Sequence, residues 1–313
     1  MISYKIKLGK EDAMWDIWGY ELFIIFYNFI IYSFFGWIYE STYVSIKRGE
    51  LVNRGFLNGP VIPIYGLGAT SVMIVFSHFE EQIAFIYFGG MILATVLEYA
   101  TSFLMEKLFH AKWWDYSKQK YNLKGRICLR SSIFWGFLSV LMIKVLKPFS
   151  DTLVDYISSN IGKVSTYVII LIFMMDLIIS VISALELNKR LTNMNKLREE
   201  FKEYIISNRL YEVKEEAYIK YSESQLSDII EKIKEKTGDN LERIESLEIK
   251  TKKDEMYEKL KIFIKRYQKA TEHEKYKDMI HSRILRAFPN FKSINKEGAL
   301  KDLKAKLHIK KKK

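Results

Sequence analysis

The stretch "LFIIFYNFIIYSFFGWIY", residues 22–39, decides the fold class because it carries 18 consecutive residues without a charge. Glu21 and Glu40 flank it, and the helix that it would form is apolar on every face. The hydrocarbon core of a bilayer requires about 20 mainly apolar helical residues. A helix on the surface of a soluble protein instead has one apolar and one polar face. The stretch therefore predicts a helix that crosses a membrane.

Four further apolar segments extend this pattern along the chain. The predicted transmembrane helices lie near residues 22–39, 61–79, 83–105, 127–146 and 166–187. The alternative is a soluble bundle with very apolar buried helices, but a soluble core of this length rarely needs several of them. We therefore predict an all-α fold, an integral membrane helical bundle of about five transmembrane helices with a cytoplasmic helical, partly coiled-coil tail. The predicted domains are a stub (1–20), a transmembrane domain (21–187) and the basic tail (188–313).

The charge of the chain is concentrated in the tail. Residues 188–313 hold 33 Lys and Arg against 22 Asp and Glu, which is +11 of the +12 net charge. Apolar residues recur every three or four positions over 187–205 and predict an amphipathic helix that prolongs the fifth segment. Mixed charges over 231–261, broken at "TGDN" (237–240), predict solvated helices or a loose coiled coil and no nucleic-acid partner. The final "HIKKKK", 308–313, is expected to contact anionic lipid.

Lys and Arg also predict the orientation of the helices. They occur three times in the loop 40–60 and six times in the loop 106–126, whereas the loop after the second segment has none. Basic loops remain on the cytoplasmic side. We therefore expect an N-terminus outside and a C-terminus inside the plasma membrane, although three lysines in the stub disagree. Acidic residues at 11, 12 and 16 and the lack of a small-residue cleavage site argue against a cleaved signal peptide.

The stretch "LVNRGFLNGPVIPIYGLGA", residues 51–69, predicts a helix start. Pro60 and Pro63 suit a first helical turn, and Asn58 is a suitable N-cap. The irregular residues 53–59 must be buried in protein or face water, because lipid satisfies no backbone group. Tight packing alone and anion binding at the helix N-terminus both stay open. The glycines that would let another helix approach are Gly66 and Gly68.

Ionisable side chains lie inside three of the predicted membrane segments. Glu98 is about 12 Å from the cytoplasmic end of the third segment, and Arg130 is about 5 Å from the same side. These two residues are predicted partners. Asp176 lies midway along the fifth segment without an obvious partner in the sequence, while Glu40 lies near Arg54. A charge near the centre of a bilayer costs about 2.5–3.5 kcal/mol, so each of them needs a partner or a function.

These charges have two interpretations, a structural lock between helices or a polar cavity open to the cytoplasm. In such a cavity a carboxylate would suit proton coupling, whereas an adjacent arginine would favour its charged form. The candidate substrate or cavity residues are Glu40, Arg54, Asn58, Glu98, Asp115, Arg126, Arg130 and Asp176.

The loop "HAKWWDYSKQKYNLKGRICL", residues 110–129, has aromatic residues beside its lysines. Trp113, Trp114 and Tyr116 are predicted to anchor in the headgroup layer, with substrate or partner contact as the alternative. Asp115 is expected to pair with Arg126 or to cap a local turn.

Several motifs of this chain occur together in one known family. They are "FFGWIYE" (34–40), "VNRGFLNGPVIPIYGLGA" (52–69), "LEYATSFLMEKLFHAKWWDYS" (97–117), "NLKGRICLRSSIFWG" (122–136) and "HSRILRAFPNFKS" (281–293). The chain resembles the bacterial membrane proteins of the putative ABC-transporter type IV family, also called CmpB-like, over roughly 20–180 and more thinly near 285. The resemblance implies a transport permease but no settled substrate or catalytic residue. The positions it marks are Gly36, Trp37, Glu40, Asn53, Arg54, Gly55, Gly59, Pro60, Glu98, Trp113, Trp114, Asp115, Tyr116, Gly125 and Arg126.

No enzyme motif accompanies this resemblance. The chain has no GxxxxGK[ST], HExxH or GxSxG, and the single Cys128 supports neither a disulfide nor a zinc site. We predict no cofactor, and any ATP hydrolysis would come from a separate subunit. The rival function is a scaffold or regulator that recruits a cytoplasmic protein through the tail. A lipid-modifying enzyme with Glu40 and Asp115 as acid and base also stays open.

Overall fold

The computed structural model describes residues 16–17, 20–160, 162–207, 258–259, 262–263, 265–266, 269, 275–307 and 309. Its helices are α1 (Leu22–Arg48), α2 (Pro63–Phe76), α3 (Ile83–Phe109), α4 (Leu129–Leu141), α5 (Lys147–Asn160), α6 (Gly162–Ser207), α7 (Lys275–Ala287) and α8 (Glu297–Lys306). A 3₁₀ turn, Ser77–Phe79, follows α2, and a π-helical turn, Met142–Leu146, joins α4 to α5. The antiparallel strand pairs are β1 (Asp16–Ile17) with β2 (Tyr20–Glu21), β3 (Ala111–Lys112) with β6 (Lys292–Ser293), and β4 (Asn122–Leu123) with β5 (Ile127–Cys128).

Four helical spans in the described residues are long and apolar enough to cross a membrane. They are Leu22–Arg48, Ile83–Phe109, Leu129–Val154 and Ser165–Glu203. Many of their apolar side chains point away from the protein, among them Phe88, Phe137 and Ile172, which are about three-fifths exposed. An apolar surface of this extent suits hydrocarbon and not water. The predicted all-α membrane helical bundle is confirmed.

The second predicted segment is shorter than expected. Its apolar helix covers Pro63–Phe79, 17 residues, or about 25 Å at 1.5 Å per residue, against about 30 Å of hydrocarbon. Ile62 is its N-cap, with an extended backbone and no side-chain capping bond. The prediction of Asn58 as the N-cap is therefore wrong.

The fourth segment continues beyond its predicted end at residue 146. The π-helical turn carries the chain into α5, where a loop was expected. Pro148 lacks the N–H that would bond to the carbonyl of Lys144, and a widened turn accommodates this missing bond. Lys144 itself is exposed.

The described residues form two compact units, of which the first comprises those up to Leu104 together with Asp115–Ser180. In this unit α1 and α2 pack against each other through glycine. A side chain at Gly66 would collide with the Ser33 hydroxyl and the Phe29 carbonyl, so the predicted close approach is confirmed there. Gly68 faces open space, and the same prediction is wrong for it. The buried core consists of Tyr32, Val72, Met73, Phe76, Ile86, Met142 and Ile143.

The second unit comprises Met105–Trp114 and the described residues from Val181 onward. The apolar residues that predicted an amphipathic extension of the fifth segment are buried here, Leu187, Leu191, Met194, Leu197 and Phe201. Two ion pairs join this part of α6 to the C-terminal helices, Arg190–Asp278 at 2.7 Å and Arg198–Asp302 at 2.7 Å. The predictions for the stub before residue 16, for the coiled coil and "TGDN" over 231–257, and for lysines 310–313 lie outside the described residues.

Candidate functional site

The segment between α1 and α2, residues 49–62, runs back along α1 within the first unit. Its amides bond to side-chain and backbone oxygens at successively deeper levels of that helix. From Ser45 to Ser33 is 12 helical residues, about 18 Å. We call residues 52–62 the re-entrant segment. Three of its contacts with α1 are Val52 N to Ser45 Oγ (3.0 Å), Arg54 N to Ser41 Oγ (3.2 Å) and Ile62 N to Ser33 O (3.0 Å).

Asn53 organises the middle of the re-entrant segment. Its Oδ1 accepts from Trp37 Nε1 at 2.8 Å and from Gly55 N at 2.9 Å, while its Nδ2 donates to Asn58 O at 2.8 Å. Leu57 is completely buried. We expect these irregular residues to be enclosed by protein or to face water, because lipid cannot satisfy their polar groups. The contacts above show that protein groups meet this requirement.

Asp176 of α6 anchors the end of the same segment. Its carboxylate accepts from Gly59 N (2.7 Å), Asn58 N (3.0 Å) and Asn58 Nδ2 (2.8 Å). Ser180 donates to it from one turn along α6 at 3.2 Å. Asn58 thus donates to the Asp176 carboxylate instead of capping a helix. Sequence analysis missed the partner because it is 118 residues distant.

Glu40 lies beside the re-entrant segment. Tyr65 of α2 donates its hydroxyl proton to Glu40 Oε1 at 2.8 Å. Arg54 Nε lies 3.6 Å from Glu40 Oε2. The structure therefore brings Glu40 and Arg54 together, as the sequence predicted, and the arginine compensates this carboxylate.

Glu98 is 4% exposed and has only neutral hydrogen-bond donors among the described residues. Its Oε2 accepts from Trp135 Nε1 at 2.9 Å and from Ser131 Oγ at 3.3 Å, and its Oε1 accepts from Tyr116 at 3.1 Å. The predicted Glu98–Arg130 pair is wrong, because Arg130 is exposed. Ser131 and Trp135 are four residues apart and therefore share the face of α4 that contacts Glu98. Arg130 precedes Ser131 by one residue, which is about 100° around the helix, so its side chain points elsewhere.

One network of polar and aromatic side chains contains both glutamates. The Tyr65 and Trp135 rings meet edge to face with centroids 5.5 Å apart, which joins the Glu40 contacts to the Glu98 contacts. Burial, and then the negative charge of Glu98, raise the pKa of Tyr116 well above its ordinary value, so its hydroxyl remains a donor. We call this set the Glu40–Glu98 cluster. Its members are Glu40, Arg54, Tyr65, Glu98, Tyr116, Ser131 and Trp135.

The remaining candidates of the 110–129 loop have local roles. Asp115 accepts from the backbone N–H of Ser117 at 3.0 Å and from its hydroxyl, which confirms the predicted turn cap. The guanidinium of Arg126 lies 5.4 Å from the ring centres of both Tyr99 and Phe103. Such cation–π contacts hold Arg126 on the surface of α3.

Trp113 contradicts the prediction of a headgroup anchor. It is 3% exposed, and its ring packs edge to face against three phenylalanines of the second unit. Those rings belong to Phe109, Phe288 and Phe291. Trp114 is half-buried. Tyr116 donates its hydroxyl proton to Glu98 and is not a free headgroup anchor.

The long apolar helices, the re-entrant segment and the buried carboxylates define an all-α integral membrane protein. A model of the family described as "Putative ABC-transporter type IV" matches residues 27–181, which supports the resemblance to that family over this region. The match does not extend to the motif near residue 285, where the resemblance was thinner. Neither a curated protein nor a solved structure matches the chain in these comparisons.

Proposed function

We propose that the protein is a permease-like multipass membrane protein that moves a small solute along the Glu40–Glu98 cluster. The observation that carries this proposal is the broken second crossing. The re-entrant segment faces the C-terminal half of α1, and the short helix α2 faces the N-terminal half. An extended half and a helical half therefore share one crossing beside buried carboxylates. Discontinuous crossings of this kind form solute and ion sites in secondary transporters.

This geometry also supports the proposed topology. The second segment is too short for a full crossing by itself, but about 18 Å of re-entrant chain lies ahead of it. Counting this composite crossing gives five, with the N-terminus outside and the C-terminus inside the plasma membrane, the orientation favoured by the basic loops.

The position of Glu98 favours transport over a structural lock. A glutamine could hold the same three side chains without placing a charge in the membrane, where a carboxylate costs about 2.5–3.5 kcal/mol. Ionisable groups at such positions mark solute, ion or proton pathways in membrane proteins. Energy from ATP would require a separate ATPase subunit.

The test is solute entry into proteoliposomes, measured with a panel of radiolabelled sugars, amino acids and organic cations. We expect at least one solute to enter faster than into protein-free liposomes. Glu98→Gln should reduce that rate at least tenfold, whereas Glu81→Gln, at an exposed carboxylate, should leave it unchanged. Equal rates for Glu98→Gln and the wild type would remove the cluster from the pathway, and a panel without any accelerated entry would argue against a permease.

A docking function for the second unit is the competing proposal. The ion pairs Arg190–Asp278 and Arg198–Asp302 and the packing of Trp113 on Phe288 give this unit a fold of its own, and the proposed role of that fold is to recruit a cytoplasmic protein. Purification of the tagged chain in mild detergent tests this proposal. A co-purifying ATPase would favour an ABC transporter, whereas another stoichiometric protein, with no solute entry, would favour a scaffold.

A further inference from the structure

We propose that Glu98 is a binding site for one exchangeable proton and that the Ser131 hydroxyl reverses its hydrogen bond when the proton binds. The use of this proton to drive solute movement rests on the proposed function. The proton site itself does not, because it follows from the contacts of Glu98.

The first argument is that Glu98 has no countercharge among the residues that the structure describes. Glu98 is almost fully buried in a helix long enough to cross the membrane, and its three donors are neutral. Arg54, the cation of the cluster, lies 3.6 Å from Glu40. Removing a charge from water without a partner is far more costly than burying a neutral acid. A bound proton supplies the missing positive charge.

The second argument is that the same heavy-atom positions satisfy both protonation states. In the ionised state, Oε2 accepts from Ser131 and Trp135 while Oε1 accepts from Tyr116. In the protonated state, the new O–H on Oε2 donates to Ser131 Oγ over 3.3 Å. The Ser131 proton then turns to the carbonyl of Cys128, 2.9 Å away. A hydroxyl can make this exchange because it donates once and accepts twice.

The third argument concerns the ionisable groups around Glu98. Glu40 of α1 is the other carboxylate of the cluster, and Arg54 of the re-entrant segment lies 3.6 Å from it. Tyr116 remains a neutral donor. In the described part of the chain, Tyr65 of α2 donates to Glu40, and the buried thiol of Cys128 lies beside Ser131.

The test is infrared difference spectroscopy of the full-length protein in liposomes at about pH 5 and about pH 9, on either side of neutrality. A protonated carboxylic acid has a C=O stretching band that a carboxylate lacks. We expect the acidic-minus-alkaline spectrum of the wild type to contain this band. Ordinary carboxyls are also partly protonated near pH 5, so the Glu98 component is the part of the band that Glu98→Gln removes, and the surface control Glu81→Gln should retain that component.

Ser131 provides a second and more specific signature. Ser131→Ala removes the acceptor of the new O–H, so the band should shift to higher frequency, and Ser131→Thr, which keeps a hydroxyl, should restore its position. If Glu98→Gln fails to fold, the component that shifts in Ser131→Ala identifies Glu98 instead.

A difference spectrum that Glu98→Gln and Ser131→Ala both leave unchanged would overturn the proposal, and so would a Glu98 component of equal intensity at both pH values. These results are distinguishable from failure of the permease proposal because the spectra require no solute. A Glu98 band without solute entry would retain the proton site and reject the permease. Solute entry that depends on Glu98, in a protein whose spectrum lacks the Glu98 component, would retain the permease and reject the proton site.

Discussion

Asp176→Asn tests whether one carboxylate holds the re-entrant segment in place. The substitution preserves shape but replaces one acceptor oxygen with an NH₂ group. If the remaining oxygen serves Asn58, the NH₂ group faces the N–H of Gly59, which now donates to Asp176 Oδ2 at 2.7 Å. One hydrogen bond to a charge, worth about 1.5–3 kcal/mol, is lost, and a donor is left without an acceptor, which costs about 1–3 kcal/mol.

These overlapping terms predict that Asp176→Asn lowers the free energy of unfolding by about 2–4 kcal/mol. Unfolding in mixed micelles with increasing SDS, followed by circular dichroism, measures this change. Ser180→Ala is the matched control, because it keeps the carboxylate and removes only the Ser180 hydroxyl, which donates to Asp176 Oδ1 at 3.2 Å and accepts from Asn58 Nδ2 at 3.2 Å. It should cost about 0.5–1.5 kcal/mol.

A second measurement separates release of the segment from global unfolding. Leu57 is fully buried, so a cysteine placed there should react slowly with a maleimide. Adding Asp176→Asn to Leu57→Cys should raise the labelling rate at least tenfold under native conditions. An unchanged labelling rate together with an unchanged free energy of unfolding would refute the anchoring role of Asp176.

Two further predictions concern packing within each unit. Gly66→Leu would force a side chain into the Ser33 hydroxyl. It should destabilise the protein by about 1–3 kcal/mol and so lower the SDS concentration at the unfolding midpoint. Gly68→Ala is the control, because Gly68 faces open space, and it should leave the midpoint unchanged within error. Equal effects of the two substitutions would contradict the packing of α1 on α2. Arg198→Leu removes the cation 2.7 Å from the buried Asp302 carboxylate and should destabilise the second unit by about 3–5 kcal/mol. Limited proteolysis measures this change, and the double variant Arg198→Leu/Asp302→Leu should recover much of the loss.

The membrane helices were predictable from the sequence because hydrophobicity is a local property. Residues 22–39 contain enough apolar side chains to identify a crossing without knowledge of any neighbour. The true start of α2 was less predictable. Pro60 and Asn58 fit a helix start, but the backbone of Asn58 bonds instead to Asn53 of the same segment and to Asp176 of α6. These contacts override the local capping preference.

The candidate site was predictable only in part because charge alone does not determine a partner. Glu40 and Arg54 were paired correctly, since both flank one loop. The sequence does not determine which face of α4 points towards Glu98. Arg130 was therefore predicted as the partner of Glu98, although its neighbour Ser131 faces that carboxylate. The environment of Trp113 was also missed, because two of its aromatic partners lie over 170 residues later. The motif near residue 285 was the signal that could have indicated them.

The anchoring of the re-entrant segment has a consequence for how the chain is made. The ribosome releases residues 58 and 59 well before Asp176, which follows 118 positions after Asn58. Until α6 leaves the translocon, the amides of these two residues have no carboxylate to bind and must remain hydrated. The anchoring of the re-entrant segment is therefore completed only after synthesis of α6, and the order of assembly differs from the order of translation.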